Sequence, residues 1–403
     1  MPEPCPLPAD AVVVDADGHV LEPADTWQRY LEPELRERAI RIERDPDGLE
    51  VLLVDGKPLE MLRGVLGSLG GIGMPGEELL EPGRYTYADG SPAGGYDPKA
   101  RLAVMDAEQI DMALLYPTIG LCWEDAVRDA ELATAYTRAY NRWIVDFCSD
   151  SGGRLQPVAH ISLLDADLAV AEALRARRDG CVGIYLSTDH PSRAGRHLND
   201  PVYDRFWAAA SDLRMPVGFH VIVREQPDFS VWTESLSHDP SRLFYHAFLA
   251  IDVMAAFTQM MATGLFERFP RLQCSVLEAG SNWISAWLDR LDHKYEVAPG
   301  RYPLEMLPSE YFKRQCVISS DPDESMTGEV ARRIGPEYCI WASDYPHIDA
   351  SFGSVPELMR HIGDLDERAQ RGILGENALR FYNLEAPHPR TPRPPSGGRC
   401  APG

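Results

Sequence analysis

The chain has 403 residues, 44% hydrophobic and 25% charged, with a formal net charge of −23. That is ample for one large or two medium globular domains, and no window approaches the roughly 18 uninterrupted apolar residues of a membrane helix. Such an acidic surface opposes phosphate backbones and anionic membranes, so the expected partner is a small molecule, with no nucleic acid and no membrane.

In chain order, the first strand is predicted at residues 11–15, running into the stretch "VVVDADGHVLEP" at 12–23. Three apolar residues there run into Asp15, Asp17 and His19, spaced by two. An insertion over about 38–96 follows. It opens with "RAIRIERDPDGLEVLLVDGKPLE", which reads as a hairpin turning at Asp45–Gly48. The Gly-rich "RGVLGSLGGIGMPGEE" comes next; no strand leads into it and no helix cap follows, so it reads as a flexible lid or insertion and not as a phosphate loop. Further strands are predicted at 110–116, 155–161, 181–186, 217–220, 272–278, 315–319 and 338–342. Amphipathic helices are predicted at 97–109, 125–148, 165–178, 201–213, 241–269, 281–296, 322–334 and 355–361. Strands alternating with helices at this spacing imply parallel βαβ units, and eight of them imply a closed (β/α)8 TIM barrel. Residues 1–385 are thus expected to form one barrel domain, followed by a Pro/Gly/Arg-rich tail at 386–403 expected to be disordered.

The start "MPEPCPLPAD" has neither a basic segment nor an apolar run, so no secretory signal is expected. Eight cysteines are scattered without a CxxC pair, mostly within apolar strands or helices. They read as reduced core thiols, and a cytoplasmic location is expected.

In such a barrel the chemistry sits where strands end and loops begin. Strand 1 ends in Asp15, Asp17 and His19, strand 5 in His220, strand 6 in Glu278, strand 7 in Ser319, Ser320 and Asp321, and strand 8 in Ser343, Asp344 and His347. Alternation along strand 1 places Asp15, Asp17 and His19 on one side, facing the axis. Unpaired charges there cost several kcal/mol each unless a cation sits among them. Taken singly, each residue has an ordinary reading: His220 as a satisfied core histidine, Asp344 as a turn residue, Glu278 as a helix cap. Asp15 reads as a structural acceptor more than a ligand. Convergence of four strand ends favours a divalent metal.

These residues resemble the amidohydrolase superfamily, in the branch containing aminocarboxymuconate-semialdehyde decarboxylase and γ-resorcylate decarboxylase. The likeness spans about residues 11–385 and rests on "DADGH", "PVGFH", "FERFPRLQCSVLEAG", "SDYPH" and the terminal "ILGENALRFYNL" with Asn377 and Arg380. The resemblance implies Asp17, His19, His220 and Asp344 as metal ligands, with Asp344 also handling a proton. It departs from the branch twice. Many decarboxylases carry histidine where Asp17 stands, and several carry a histidine at the end of strand 6 where this chain has Glu278. Glu278 can do acid–base work or hold a metal, and His347 can orient substrate.

The implied activity is a metal-dependent hydrolase or non-oxidative decarboxylase on a small organic acid, amide or lactone, using one divalent ion of Zn, Mn or Fe. The alternative is a dinuclear Fe or Mn/Fe monooxygenase on the same barrel, with Glu278, Asp15, His238, His246 and His347 serving a second ion. A third reading keeps the fold for binding alone. Arg224, Trp232 and Tyr185 are weaker candidates for substrate contact. Trp283, Trp287, Leu288 and Leu291 share one helical face, read as packing on the barrel or as a subunit contact, and the resemblance implies a homodimer or homotetramer.

Overall fold

The computed structural model describes residues 6–8, 10–223 and 243–387, without the side chains of 243–246. Eight strands form one sheet in chain order. They are β1 (Val14–His19), β2 (Met112–Tyr116), β3 (Leu155–His160), β4 (Gly183–Ser187), β5 (Val217–His220), β6 (Cys274–Val276), β7 (Cys316–Ser320) and β8 (Cys339–Trp341). Every neighbouring pair is parallel. Just beyond β8 the ring closes onto β1: the Asp344 N–H donates to the Asp17 carbonyl at 3.1 Å, and the His19 N–H to the Tyr345 carbonyl at 2.7 Å. This is the (β/α)8 barrel that the alternation predicts.

Helices α1 (Pro98–Ala107), α2 (Ala130–Cys148), α3 (Ala166–Asp179), α4 (Asp204–Leu213), α5 (Leu243–Ala262), α6 (Trp283–Val297), α7 (Thr327–Ile334) and α8 (Ser354–Ile362) alternate with the strands. Their starts are chemically marked. Asp97 accepts from the Ala100 N–H with Pro98 at the first position, and Asp165 accepts from the N–H groups of Asp167 and Leu168. α2 begins later than its amphipathic pattern because Asp129, not Asp125, caps it. The predicted helix over 241–269 is broken at Gly264, whose φ is 75° and whose Cβ, if it had one, would lie 2.5 Å from the Pro303 carbonyl.

Alternate strand residues divide the core. Met112, Leu114 and Tyr116 pack with Val14, Val158, Val317 and Ile340 in one cluster, while Ala113 and Leu115 join the other, under the helices. The final turns brace the barrel. The Asn377 amide donates to the carbonyls of Pro336 and Cys339, and the Tyr382 hydroxyl hydrogen-bonds those of Tyr116 (3.0 Å) and Ser275 (2.9 Å). The six described cysteines are free and buried. No helix among the described residues is long and apolar enough to cross a membrane.

In the insertion, Arg41–Arg44 and Glu50–Val54 pair antiparallel, and Lys57–Pro58 adds a short third strand. The Gly-rich stretch packs instead of hanging free: Leu66, Leu69 and Ile72 are buried, and the Ile72 N–H donates to the Pro346 carbonyl in the loop after β8. Burial of these apolar side chains holds the segment against the barrel. The tail expected to be disordered lies outside the described residues from 388 onward.

Candidate metal centre

β1 is entirely buried, and one irregularity decides what its acids do. Asp15 pairs with Ala113, but the next pair is Gly18 with Leu115, so β1 carries one extra residue there. Such a bulge re-aims side chains. Asp17 and His19 stay together, whereas Asp15 turns to the closing loop. Its Oδ1 accepts from the Ser343 N–H at 2.9 Å and its Oδ2 from the Ser343 hydroxyl at 2.6 Å. The fully buried Arg101 lies 3.9 Å from the same carboxylate, donates to the His19 carbonyl at 2.7 Å and stacks over the Tyr345 ring. Asp15 therefore binds the two loops together and is spent as a donor to any ion. Gly18 is required beside it, since a Cβ would lie 2.5 Å from both Arg101 Nη2 and Asp15 Oδ2.

The other strand ends meet around His19 Nε2. His220 Nε2 lies 3.0 Å away, Asp344 Oδ1 3.4 Å and Asp17 Oδ1 3.5 Å. Glu278 Oε2 is 2.7 Å from His220 Nε2, and His347 Nδ1 is 2.7 Å from Asp344 Oδ1. The remaining imidazole atoms are anchored. His19 Nδ1 is 2.9 Å from the Pro117 carbonyl and His220 Nδ1 is 2.6 Å from the Val221 carbonyl. A carbonyl only accepts, so each Nδ1 carries a proton, and the two Nε2 atoms, the ones an ion would take, face the same point. Asp17 Oδ1, Glu278 Oε2 and Asp344 Oδ1 are buried there without an aligned hydrogen bond. Glu278 and Asp344 also hold left-handed backbone, at φ 42° and 54°, which residues other than glycine adopt at a cost.

Electrostatics point the same way. Burial pushes Asp17 up to about 8, with Glu278 and Asp15 adding to the rise and His220 opposing it. Asp344 is raised well above the usual carboxylate range by burial and by Glu278, Asp349 and Asp17. Burial and the nearby His347 and His220 hold His19 well below its ordinary value. For His220 burial acts downward, but Glu278 and Asp17 carry it up to about 9. A carboxylate-rich pocket that has to borrow protons is built for a cation. Two overlapping sets can hold one: Asp17, His19 and His220; and His19, Glu278, Asp344 and His347. The two sets share His19.

A sequence profile described as "Amidohydrolase" matches residues 14–384. The chain belongs to this amidohydrolase family. Among solved structures, an amidohydrolase from Mycobacterium avium subsp. paratuberculosis K-10 is 23% identical with a TM-score of 0.75, over 93% of this chain and 99% of that one. A 5-carboxyvanillate decarboxylase from Sphingomonas paucimobilis is 20% identical with a TM-score of 0.67, over 93% and 100%. One from Novosphingobium aromaticivorans, with bound manganese, is 16% identical with a TM-score of 0.65, over 94% and 100%. At these identities the shared property is the fold. No curated protein matches.

Family membership makes this amidohydrolase an enzyme of the metal-dependent hydrolase or carboxy-lyase kind. The structure brings together Asp17, His19, His220, Glu278, Asp344 and His347. Tyr185 is fully buried, its ring between those of His160 and His220 and its hydroxyl unpartnered. Arg224, Trp232 and His238 lie outside the described residues, as does the side chain of His246. Trp283 and Leu291 pack on the barrel core, and Trp287 donates to Thr258 at 2.8 Å. Sequence reasoning missed four residues here. Arg101 braces Asp15, and the Thr118 hydroxyl lies 2.9 Å from His347 Nε2. His160 and Glu124 form a buried pair at 2.7 Å. His160 carried the same signal as His220, a histidine ending an apolar strand.

Proposed function

We propose that this amidohydrolase is a manganese-dependent, non-oxidative decarboxylase of a small organic acid. The observation that carries the reading is the convergence on one point of the Nε2 atoms of His19 and His220 and three buried carboxylate oxygens that lack an aligned hydrogen bond. That two of the solved relatives are decarboxylases, one with manganese, supports it. Asp17, His19, His220 and Asp344 would hold the ion. When bound, the cation supplies a Lewis acid for a substrate carboxylate or neighbouring oxygen.

The protein's own groups do the rest. His19 and His220 are fixed by the Pro117 and Val221 carbonyls, so their Nε2 atoms need no reorganisation. Loss of CO2 leaves a carbon that must gain a proton. Asp344, a carboxyl raised by burial and oriented by the adjacent His347, is placed to deliver it. Glu278, next to His220, can return a proton to Asp344 from solvent. The closing loop over Ser343–Tyr345 and the packed Gly-rich segment limit water access around β8.

Hydrolysis of an amide or lactone is the second reading, favoured by Glu278 at the strand-6 position where several decarboxylases carry histidine. The oxygenase alternative draws no support from the comparisons, and Asp15, one donor it needed, is engaged by Ser343 and Arg101. The test is CO2 release by manganese-loaded protein from a panel of small carboxylic acids, beside amides and lactones. CO2 release that stops with chelator and with Asp344→Asn is expected. Metal-dependent turnover confined to amides or lactones would replace decarboxylation with hydrolysis, and oxygen consumption would restore the oxygenase.

A further inference from the structure

Beside the metal centre lies a second polar group of residues that the proposed chemistry does not use. His160 ends β3, and its register partner on β4 is Tyr185; farther along β4, Ser187 pairs with His220. Trp123 lies in the turn after β2. Their rings form a continuous wall running to the metal centre: Trp123 to His160 at 5.3 Å, His160 to Tyr185 at 4.8 Å, and Tyr185 to His220 at 6.2 Å between centroids. All three side chains are fully buried, yet Trp123 Nε1, His160 Nδ1 and the Tyr185 hydroxyl have no hydrogen-bond partner. Ser187 is near enough to ease the Tyr185 phenolate, but its own hydroxyl donates to Asp189 and no aligned bond joins the two. Buried polar groups are almost always paired, and three neighbouring exceptions in one wall need a reason.

The unused capacity can be counted. Glu124 Oε1 lies 2.7 Å from His160 Nε2 and fixes the proton there, so Nδ1 presents a lone pair. The site therefore offers one acceptor at His160, one donor at Trp123 and one hydroxyl at Tyr185 that can donate. A ligand hydroxyl has one hydrogen to give and two lone pairs to receive. We infer that Trp123, His160 and Tyr185 form a subsite for a hydroxyl group on the substrate, at the end remote from the carboxylate held at the metal centre. The inference rests on the carboxylic-acid reading above and adds the second group the substrate must carry. Glu124 acts as a positioning residue, through the tautomer it imposes on His160.

The test is calorimetric binding of benzoate and of 2-, 3- and 4-hydroxybenzoate to the manganese-loaded protein. At least one hydroxybenzoate should bind about tenfold more tightly than benzoate, because a site built around a hydroxyl leaves its polar groups unmade with an analogue lacking one. That preference should fall several-fold in Tyr185→Phe and disappear in His160→Gln, while the Kd for benzoate stays within about twofold. If His160→Gln does not fold, Tyr185→Phe, which removes one oxygen, carries the test alone. Metal-dependent benzoate binding with no preference for any hydroxybenzoate would overturn the subsite and leave the decarboxylase reading standing; water then fills the wall. A preference that survives both variants, or variants that weaken benzoate equally, would also overturn it. Failure of all four acids to bind in a metal-dependent way would overturn both proposals.

Discussion

Asp17→Asn should stabilise the metal-free protein, the reverse of the usual effect of altering a buried polar residue. Asp17 is buried, and burial with Glu278 and Asp15 beside it raises its carboxyl from 3.8 to about 8. A carboxyl raised on folding contributes its stability fully below its unfolded value and loses it as pH rises through its folded value. Between the ordinary 3.8 and neutral pH the folded chain must hold a proton that the unfolded chain releases. At about 1.4 kcal/mol per pH unit, this costs on the order of 4 kcal/mol. Asparagine keeps the shape and removes the cost. For 403 residues, an unfolding entropy of about 2 cal/mol/K per residue converts 4 kcal/mol into a rise of roughly 5 °C in Tm. The assay is thermal melting of chelator-treated wild type and Asp17→Asn from pH 5.5 to 8. The variant's advantage should be smallest near pH 5.5 and grow with pH. Manganese should then stabilise the wild type and leave the variant unmoved. A metal-free variant that melts below wild type at every pH would refute the reasoning, because the carboxylate would then be held by protein partners.

The same change two residues earlier should do the opposite. Asp15→Asn leaves the buried Arg101 without its counter-ion, at a cost of about 3–5 kcal/mol, so Tm should fall by several degrees with or without metal. Gly18→Ala drives a Cβ between Arg101 and Asp15 and should cost about 1–3 kcal/mol while weakening manganese retention, read by denaturant melts and metal analysis. Manganese affinity should rise with pH by roughly tenfold or more per unit up to about pH 8, since the ion displaces protons held by His220, at about 9, and Asp17, at about 8. A flat titration would show that those protons do not occupy the ion's place.

The barrel was legible because each helix and strand carries its own period and because Asp97, Asp129 and Asp165 mark helix starts locally. His19, His220 and Asp344 were legible for a related reason: a strand end is a sequence position, and the fold sends all strand ends to one face. The two carboxylates of β1 looked equivalent in sequence and are not. The bulge that separates them shows only in the pairing with β2, and Arg101, the partner of Asp15, comes from α1 across the insertion. The Gly-rich segment looked mobile because glycine spacing says nothing about Leu66, Leu69 and Ile72 packing beneath the loop after β8. The His160–Glu124 pair was missed because its partners come from a strand end and a turn, with no spacing that links them.

The central claim is that one divalent ion sits where His19, His220, Asp17 and Asp344 converge. The measurement that tests it most directly is metal per chain, by elemental mass spectrometry, after manganese loading and exhaustive dialysis of wild type and His220→Ala. About one ion per wild-type chain and none per folded His220→Ala chain is the predicted result. Wild type that retains no metal, or His220→Ala that retains a full complement, would contradict the account.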